Sequence, residues 1–220
     1  MRIKLVGRVV DKTNQSKTNY KHEVYGMILN KLSPELAKRI HSKEKFYRLL
    51  RFSDVYITKY SKDNIKMHMY IVGEDNIIQD FINHLIFDNW IRIDDMVIEV
   101  RVEALQPLQP KEYYNFKTNL IVNISQNNKC VLSDDMDYIE SRLKEIALNK
   151  AKQLNIRKDN LDIKVLKYTK KYNKYKNHHI ESWKCKLQVK GDYELVNMIY
   201  STTGIGENTA SGHGLVWEVN

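Results

Sequence analysis

The 220-residue chain contains few of the residues that build small or rigid scaffolds: two cysteines, three prolines and eight glycines. Cys130 and Cys185 lie far apart and form no CxxC pair, which argues against a disulfide framework and a structural zinc site. Low cysteine content is typical of a reducing compartment, so we predict a cytoplasmic protein. No apolar run reaches the length of a membrane span, and the N-terminus is too charged for a signal peptide, so we predict no membrane contact.

Positive charge is what the chain has in excess. It has 36 Lys and Arg against 27 Asp and Glu, which gives a formal net charge of +9. Such an excess predicts a polyanionic partner, with nucleic acid favoured over an anionic membrane surface. The alternative is a lysine-rich surface that has no partner. No group of His, Cys, Asp and Glu has the spacing of metal ligands, so we predict no metal and no cofactor.

Two of the three prolines, Pro107 and Pro110, lie together near the middle of the chain and predict a linker. Each half has the pattern β-α-β-β-α-β, with the first helix of the first half split at Ser33 and Pro34. The predicted fold class is α+β: two tandem ferredoxin-like (βαββαβ, RRM-like) domains with a C-terminal glycine-rich loop. The predicted domains are residues 1–107 and residues 113–220.

The individual elements follow from periodicity. Apolar residues at helical spacing predict helices, whereas alternation of apolar and polar residues predicts strands. The segment 90–105 is predicted as one strand, in which Asp94 and Asp95 point to opposite faces and make a poor metal pair. The predicted helices cover residues 21–32, the segment from Ser33 to His41, and residues 74–89, 134–154 and 192–204.

Half of the glycines, Gly204, Gly206, Gly212 and Gly214, lie within eleven residues near the end of the chain. The spacing does not match a P-loop, since His213 follows Gly212 where lysine is required. It does not match the dinucleotide-binding motif either. Glycine amides can approach phosphate oxygens closely, so we expect these four glycines to contact a phosphate backbone. A tightly turned connection without a ligand is the alternative.

The position and sequence of this loop carry a family resemblance. A glycine-rich loop between the last helix and last strand of a second ferredoxin-like domain resembles that of the RAMP proteins. Within that superfamily, "GIGENTASGHGLVWEV" is similar to the C-terminal signature of the Cas-six family of CRISPR precursor-RNA-processing endoribonucleases. The resemblance implies CRISPR repeat RNA as the partner and metal-independent cleavage by the 2′-hydroxyl, which leaves a 5′-hydroxyl end. Homodimerisation, membership of a CRISPR effector complex and a non-catalytic RNA-binding role stay open.

The resemblance also implies catalytic residues in the first half. His41 follows the split helix and precedes a strand that ends in Phe52 and Ser53, the position at which the family commonly has its catalytic histidine. We therefore predict His41 as general acid or base, with Tyr25 as orienting residue or proton partner. An ordinary helix C-terminal residue is the alternative for His41, and His22 is the second candidate. The other predicted contacts are Lys45 for the developing charge, Tyr47 as a further proton carrier, and Lys43, Arg48 and Arg51 for RNA.

The segment "KYTKKYNKYKNHH", residues 167–179, has five lysines, three tyrosines and no acid. It lies between two predicted strands, so we expect a long hairpin tip. Lysines attract phosphates and tyrosines stack on unpaired bases, a combination that favours RNA binding over a merely solvated loop. The RNA-binding residues predicted here are Lys170, Lys171, Tyr172, Lys174, Tyr175 and Lys176.

Overall fold

The computed structural model describes residues 1–12, 20–41, 50–61, 64–126, 129–175, 178–207 and 213–219. Two compact units divide between Gln106 and Pro107, next to the predicted linker. Each unit has its own hydrophobic core. Among the described residues, no helix combines the length and hydropathy needed to cross a bilayer.

The N-terminal unit is built from one antiparallel sheet and three helices. The sheet has the strand order β2-β4-β1-β6-β5, and β3 pairs with β4. Since the chain visits these strands in the sequence of a split β-α-β unit, this order is that of a ferredoxin-like fold. The elements are β1 (Arg2–Lys12), α1 (Lys21–Asn30), α2 (Pro34–His41), β2 (Leu50–Phe52), β3 (Tyr56–Lys59), β4 (Ile65–Gly73), α3 (Asp75–Phe87), β5 (Trp90–Ile93) and β6 (Met96–Ala104).

The C-terminal unit repeats this plan with the strand order β10-β11-β7-β12. A separate two-stranded sheet, β8-β9, comes before its first helix. The predicted tandem ferredoxin-like fold is therefore confirmed. The elements are β7 (Tyr113–Leu120), β8 (Asn123–Gln126), β9 (Lys129–Leu132), α4 (Met136–Gln153), β10 (Leu161–Tyr175), β11 (His178–Gly191), α5 (Tyr193–Met198), a π-helical turn (Ile199–Thr203) and β12 (Val216–Glu218).

Alternation along the strands decides which side chains form each core. In β4, Met67, Met69 and Ile71 are buried against the helices, whereas His68 and Tyr70 point to the other face of the sheet. In the C-terminal sheet, the inward positions of β7 and β11 are apolar in the same way. Each sheet therefore has one face packed on helices and one face that turns away from its core.

Helix ends follow the predicted signals. Helix α2 starts at Pro34, directly after Ser33, as its N1 proline predicts. The Asp135 side chain caps α4 by accepting a hydrogen bond from the Tyr138 amide at 3.1 Å. Lysines in the last turn of α4 complement the helix dipole.

One predicted strand is wrong in its detail. Residues 90–105 form a hairpin, β5-β6, rather than a single strand. Asp94 adopts φ +55° in the connecting turn, a conformation that Asp tolerates better than most residues. Asp94 and Asp95 are therefore turn residues and do not occupy opposite faces of one strand.

Candidate functional site

The first candidate region joins helix α1 to the end of strand β2. The Tyr25 ring stacks on Phe52 with the ring centroids 6.4 Å apart and an interplanar angle of 27°. Phe52 is fully buried, whereas Tyr25 is partly exposed at the edge of the same core. The stack fixes the orientation of the Tyr25 ring, as an orienting residue requires.

An ion pair that the sequence did not reveal reinforces this region. The Lys21 ammonium, one helical turn before Tyr25, lies 3.5 Å from the Asp54 carboxylate. Lys21 is only 4% exposed. The Ser53 hydroxyl donates to the Asp54 carbonyl at 2.6 Å and accepts from the Tyr70 amide at 2.9 Å. These contacts tie the turn after β2 to α1 and to β4. A lysine at a helix start is usually solvated, so only the tertiary contact identifies Lys21.

His41 is exposed at the last position of α2. The preceding residue, Ile40, is buried in the N-terminal core and anchors the end of the helix. Lys38 and Arg39 are exposed in the same last turn and add positive charge there. The structure therefore presents His41 to solvent, and its catalytic role stays a prediction. The predicted residues Lys43, Lys45, Tyr47 and Arg48 lie outside the described residues.

Arg51 does not occupy the surface position that was expected for an RNA contact. It is completely buried, and its Nη1 donates to the Leu50 carbonyl at 3.3 Å. This burial lowers the pKa of Arg51 to about 9. Its strand neighbours Leu50 and Phe52 belong to the core on one face of the sheet, and Arg51 is enclosed on the other face. The structure contradicts the prediction that Arg51 contacts RNA from the surface.

Residues 167–175 and 178–179 of the predicted hairpin tip belong to a regular ribbon, since β10 and β11 pair from Leu161–Gly191 to Tyr175–His178. Lys170 lies over the rings of Tyr172 and Trp183, 6.0 and 5.9 Å from their centroids. Tyr168 packs edge-on against Trp183 with the centroids 5.4 Å apart. The ribbon thus carries an ordered cation–aromatic cluster, and Tyr172 is 64% exposed there.

Lys170 is not an isolated cation, because Glu181 on β11 lies 3.0 Å from its ammonium. The hydrogen bond to Glu181 raises the pKa of Lys170. Lys171 is partly exposed on the opposite side of the strand. Lys176 lies outside the described residues, as do the side chains of Lys174 and Tyr175. RNA binding by the ribbon stays a prediction, with Glu181 offsetting part of its charge.

The glycine-rich segment crosses strand β7 closely. The Gly214 amide donates to the Asn119 carbonyl, and its own carbonyl accepts from Ile205, both at 2.7 Å. A Cβ at Gly214 would lie 1.9 Å from the Ile205 carbonyl oxygen. Gly204, Gly206 and Gly214 all have φ between +57° and +83°, which glycine adopts without strain. Glycine is required here because the two arms of the loop approach each other.

This crossing changes the expected role of the loop. Gly204, Gly206 and Gly214 are buried, and the Gly204 amide donates to Ile199 at 3.0 Å. The Gly204 and Gly214 amides are therefore occupied within the protein, at odds with the prediction that they bind phosphate. His213, beside Gly214, is 1% exposed and is therefore also enclosed within the protein. Gly212 lies outside the described residues.

A sequence comparison decides the family. The profile described as "CRISPR associated protein Cas6, C-terminal" matches residues 106–217, just over half of the chain. The chain belongs to the Cas6 family. The matched part of this Cas6-family chain contains the β10-β11 ribbon and the glycine crossing, whereas Tyr25 and His41 precede it. A search of curated proteins finds no match.

Solved structures resemble the Cas6-family chain along its whole length. One described as "An RAMP protein binding different RNA substrates" has 20% identity, covers 100% of both chains and gives a TM-score of 0.78. A Cas6-related protein from Pyrococcus furiosus has 20% identity, with coverage of 100% and 98% and a TM-score of 0.77. A third, "CRISPR associated protein Cas6", has 24% identity, coverage of 100% and 99%, and a TM-score of 0.73. At these identities the likeness establishes the fold.

Within the described ranges, no three His, Cys, Asp or Glu side chains lie close enough together to hold a metal ion. The Cys185 thiol is buried, which raises its pKa to about 12 and makes it a poor ligand. The prediction of a metal-free reaction stays open to the experiment described next.

Proposed function

We propose that this Cas6-family chain is a metal-independent endoribonuclease that cuts CRISPR precursor RNA within the repeat. The observation that carries the proposal is the family match over residues 106–217, since the Cas6 family processes CRISPR RNA. A fourth solved structure, with 14% identity and a TM-score of 0.62, is described as a Cas6 product complex. The net charge of +9 supports a polyanionic substrate.

The proposed reaction uses the RNA's own 2′-hydroxyl. Its oxygen attacks the adjacent phosphorus while a base removes its proton. The bond from phosphorus to the 5′-oxygen breaks, and an acid protonates that oxygen. The products are a 2′,3′-cyclic phosphate and a 5′-hydroxyl. His41 is the proposed proton carrier, as acid or base, because it is exposed to solvent and an imidazole can both donate and accept a proton.

Two further groups complete the proposed site. Tyr25 orients the reacting groups, and its stack on Phe52 supports this role because the ring is held in one orientation. Lys45 is proposed to stabilise the negative charge that develops on the phosphate. Lys43 and Arg48 are proposed to contact the RNA next to the scissile bond.

The test is a cleavage assay on repeat RNA in excess EDTA. We expect one cut within the repeat, and no cut when the nucleotide before the scissile bond carries a 2′-deoxy sugar. His41→Ala should bind RNA normally and cleave about 10²–10⁴-fold more slowly, because a positioned proton carrier contributes that much. A requirement for magnesium would contradict the mechanism.

Matched variants separate chemistry from packing. His84 is exposed on α3 and its Nδ1 donates to the Asp80 carbonyl within the same helix, so His84→Ala should cleave normally. Tyr25→Phe keeps the ring on Phe52 and removes only the hydroxyl, so a slower cut in this variant would assign the role to that group. RNA binding by wild-type protein without any cleavage would favour the alternative, a non-catalytic RAMP subunit that holds guide RNA.

A further inference from the structure

The C-terminal sheet carries a row of lysines on the face that turns away from its core. Strand β11 buries Trp183, Cys185, Leu187 and Val189 on one side. The alternate positions, which point to the opposite side, are largely lysine. Neighbouring strands continue this pattern. We call this surface the lysine face, and it consists of Lys117 on β7, Lys164 and Lys167 on β10, and Lys184, Lys186 and Lys190 on β11.

Strand register places these lysines next to one another. Lys186 pairs directly with Lys117 on β7 and with Lys167 on β10, so three ammonium-bearing side chains cross three adjacent strands in one row. Trp217 on β12 pairs with Lys117 and continues the row. Directly opposed residues have Cβ atoms about 4.5–5.5 Å apart, and like charges at that distance repel. The row is therefore a local cost to the fold in the absence of a polyanion.

Acidic residues do little to offset this charge. Lys190 forms the one ion pair of the lysine face among the described residues, 3.2 Å from Glu112. Asp162 pairs with Lys190 in the sheet. It is the single acidic residue at the described strand positions of this face. Lys117 and Lys184 are exposed and Lys186 is partly exposed. The lysine face thus presents accessible cations over several strands.

The corresponding face of the N-terminal sheet is different. There, Glu103 on β6 lies 3.4 Å from the Lys4 ammonium and 2.8 Å from the Arg101 guanidinium. Glu99 pairs with Arg8 across the sheet. Acids therefore lie beside several cations of that face, although Arg8 also pairs with Lys66 on β4. The two sheets differ in that acids and ion pairs are fewer on the lysine face.

We propose that the lysine face binds the phosphate backbone of RNA without reading its sequence. The inference deepens the proposed function and rests on it for the identity of the polyanion. Lysine suits this task because its ammonium is a mobile point charge that contacts phosphates in many geometries. Backbone contacts position a nucleic acid and leave sequence selection to other residues. The lysine face thereby adds a binding surface to the ribbon, distinct from the His41 region in the N-terminal unit.

The test replaces three lysines on two adjacent strands: Lys117→Gln, Lys184→Gln and Lys186→Gln in one protein. Repeat-RNA affinity is measured for this triple variant over a series of salt concentrations. Each lost phosphate contact removes about 0.7 from the salt slope of single-stranded RNA binding, so the slope should fall by about 2. Removing mutual repulsion keeps the fold stable, and cleavage at saturating RNA should keep its wild-type rate.

A matched control removes the same charge elsewhere in the C-terminal unit. Lys144, Lys152 and Lys158 are exposed on or after α4, which packs on the opposite face of the sheet. Their replacement by Gln should leave the salt slope close to that of wild type. An unchanged slope in the lysine-face variant, or an equal decrease in the control, would overturn the inference.

The outcomes also separate this inference from the proposed function. Wild-type protein that binds repeat RNA without cutting it contradicts the nuclease proposal, and the salt slopes still decide the role of the lysine face. Normal cutting with equal slopes in both variants contradicts the lysine face alone. Absence of any RNA binding by wild-type protein overturns both.

Discussion

The two ferredoxin-like units share a strand order and differ in what their sheets expose. On the N-terminal sheet, the outward face combines paired charges with aromatic rings: Tyr56 stacks on His68 with the centroids 4.9 Å apart and the planes at 17°. On the C-terminal sheet, the outward face is dominated by lysines, of which Lys190 alone forms a described ion pair. One fold thus supports a surface on which acids and aromatic rings accompany the cations and a surface on which lysines predominate.

Glycine has contrasting roles in the two units. The C-terminal unit needs glycine at Gly214, where φ is +83° and another backbone segment leaves no room for a Cβ. In the N-terminal unit, Gly7 is also crowded, 2.9 Å from the Glu99 carbonyl at its Cβ position, whereas Gly26 in helix α1 has nothing beyond its own helix backbone within 4 Å of that position. The comparison teaches that fold topology leaves both surface charge and backbone crossings free to vary between two copies of the same plan.

The largest expected effect concerns these glycines. Gly214→Ala should destabilise the C-terminal unit by about 3 kcal/mol, since it adds left-handed backbone strain to overpacking against Ile205. Urea unfolding followed by tryptophan fluorescence measures this, because Trp183 and Trp217 both belong to that unit. An unchanged urea midpoint would contradict the close approach of Gly214 to Ile205.

Gly26→Ala is the matched substitution in the N-terminal unit. It should stabilise α1 by about 0.5–1 kcal/mol, because alanine loses less backbone entropy than glycine on forming a helix. A loss of stability in this variant would mean that the space beside Gly26 is filled, and the contrast between the two units would then fail.

An effect of similar size is expected from the aromatic stack on the N-terminal sheet. Tyr56→Ala should cost about 1 kcal/mol, the usual contribution of a stacked aromatic pair beyond its buried area. Tyr113 on the C-terminal sheet is 49% exposed, so Tyr113→Ala should cost less than about 0.5 kcal/mol. Equal losses in the two variants would show that the stack contributes nothing specific.

The sequence predicted the helices and strands well where local periodicity and helix-end residues agreed with the tertiary structure. Helix α4 and strand β4 follow directly from their periodicity and helix-end residues. The β5-β6 hairpin was missed because its turn is Asp-Asp, without the glycine that usually marks a two-residue connection. Strand β9 was missed because it is four residues long and is recognised only through its pairing with β8.

The candidate site was less predictable, because burial and pairing are tertiary properties. Arginine is usually a surface residue, yet Arg51 is completely buried. It lies on the face of the strand opposite to Leu50 and Phe52. Lys21 has the position of a solvated helix start, yet it pairs with Asp54 from a later strand end. The lysine face was not predicted because its residues are far apart in the sequence, between residues 117 and 190. Only the pairing of the strands brings them together.

The smallest expected effect is a pH dependence of stability at His68. Partial burial lowers its pKa, and the positive charge of Lys4 lowers it further. The unfolded chain therefore binds a proton more readily than the folded protein, so this residue reduces stability as pH falls through the unfolded pKa near 6.5. Between about pH 7.5 and about pH 5.5, wild-type protein should lose more stability than His68→Gln. The exposed His84 gives the control, and a His84→Gln variant that removes the same loss would contradict this assignment.

We propose that RNA cleavage depends on the His41 region of the N-terminal unit. Binding of the RNA phosphate backbone depends on the lysine face of the C-terminal unit. The most direct test measures RNA affinity and the single-turnover cleavage rate at saturating protein, in EDTA, for His41→Ala and the lysine-face triple variant. We predict that the first variant keeps its affinity and loses the rate, whereas the second keeps the rate and loses affinity. Full cleavage by His41→Ala, or parallel losses of affinity and rate in both variants, would contradict this division.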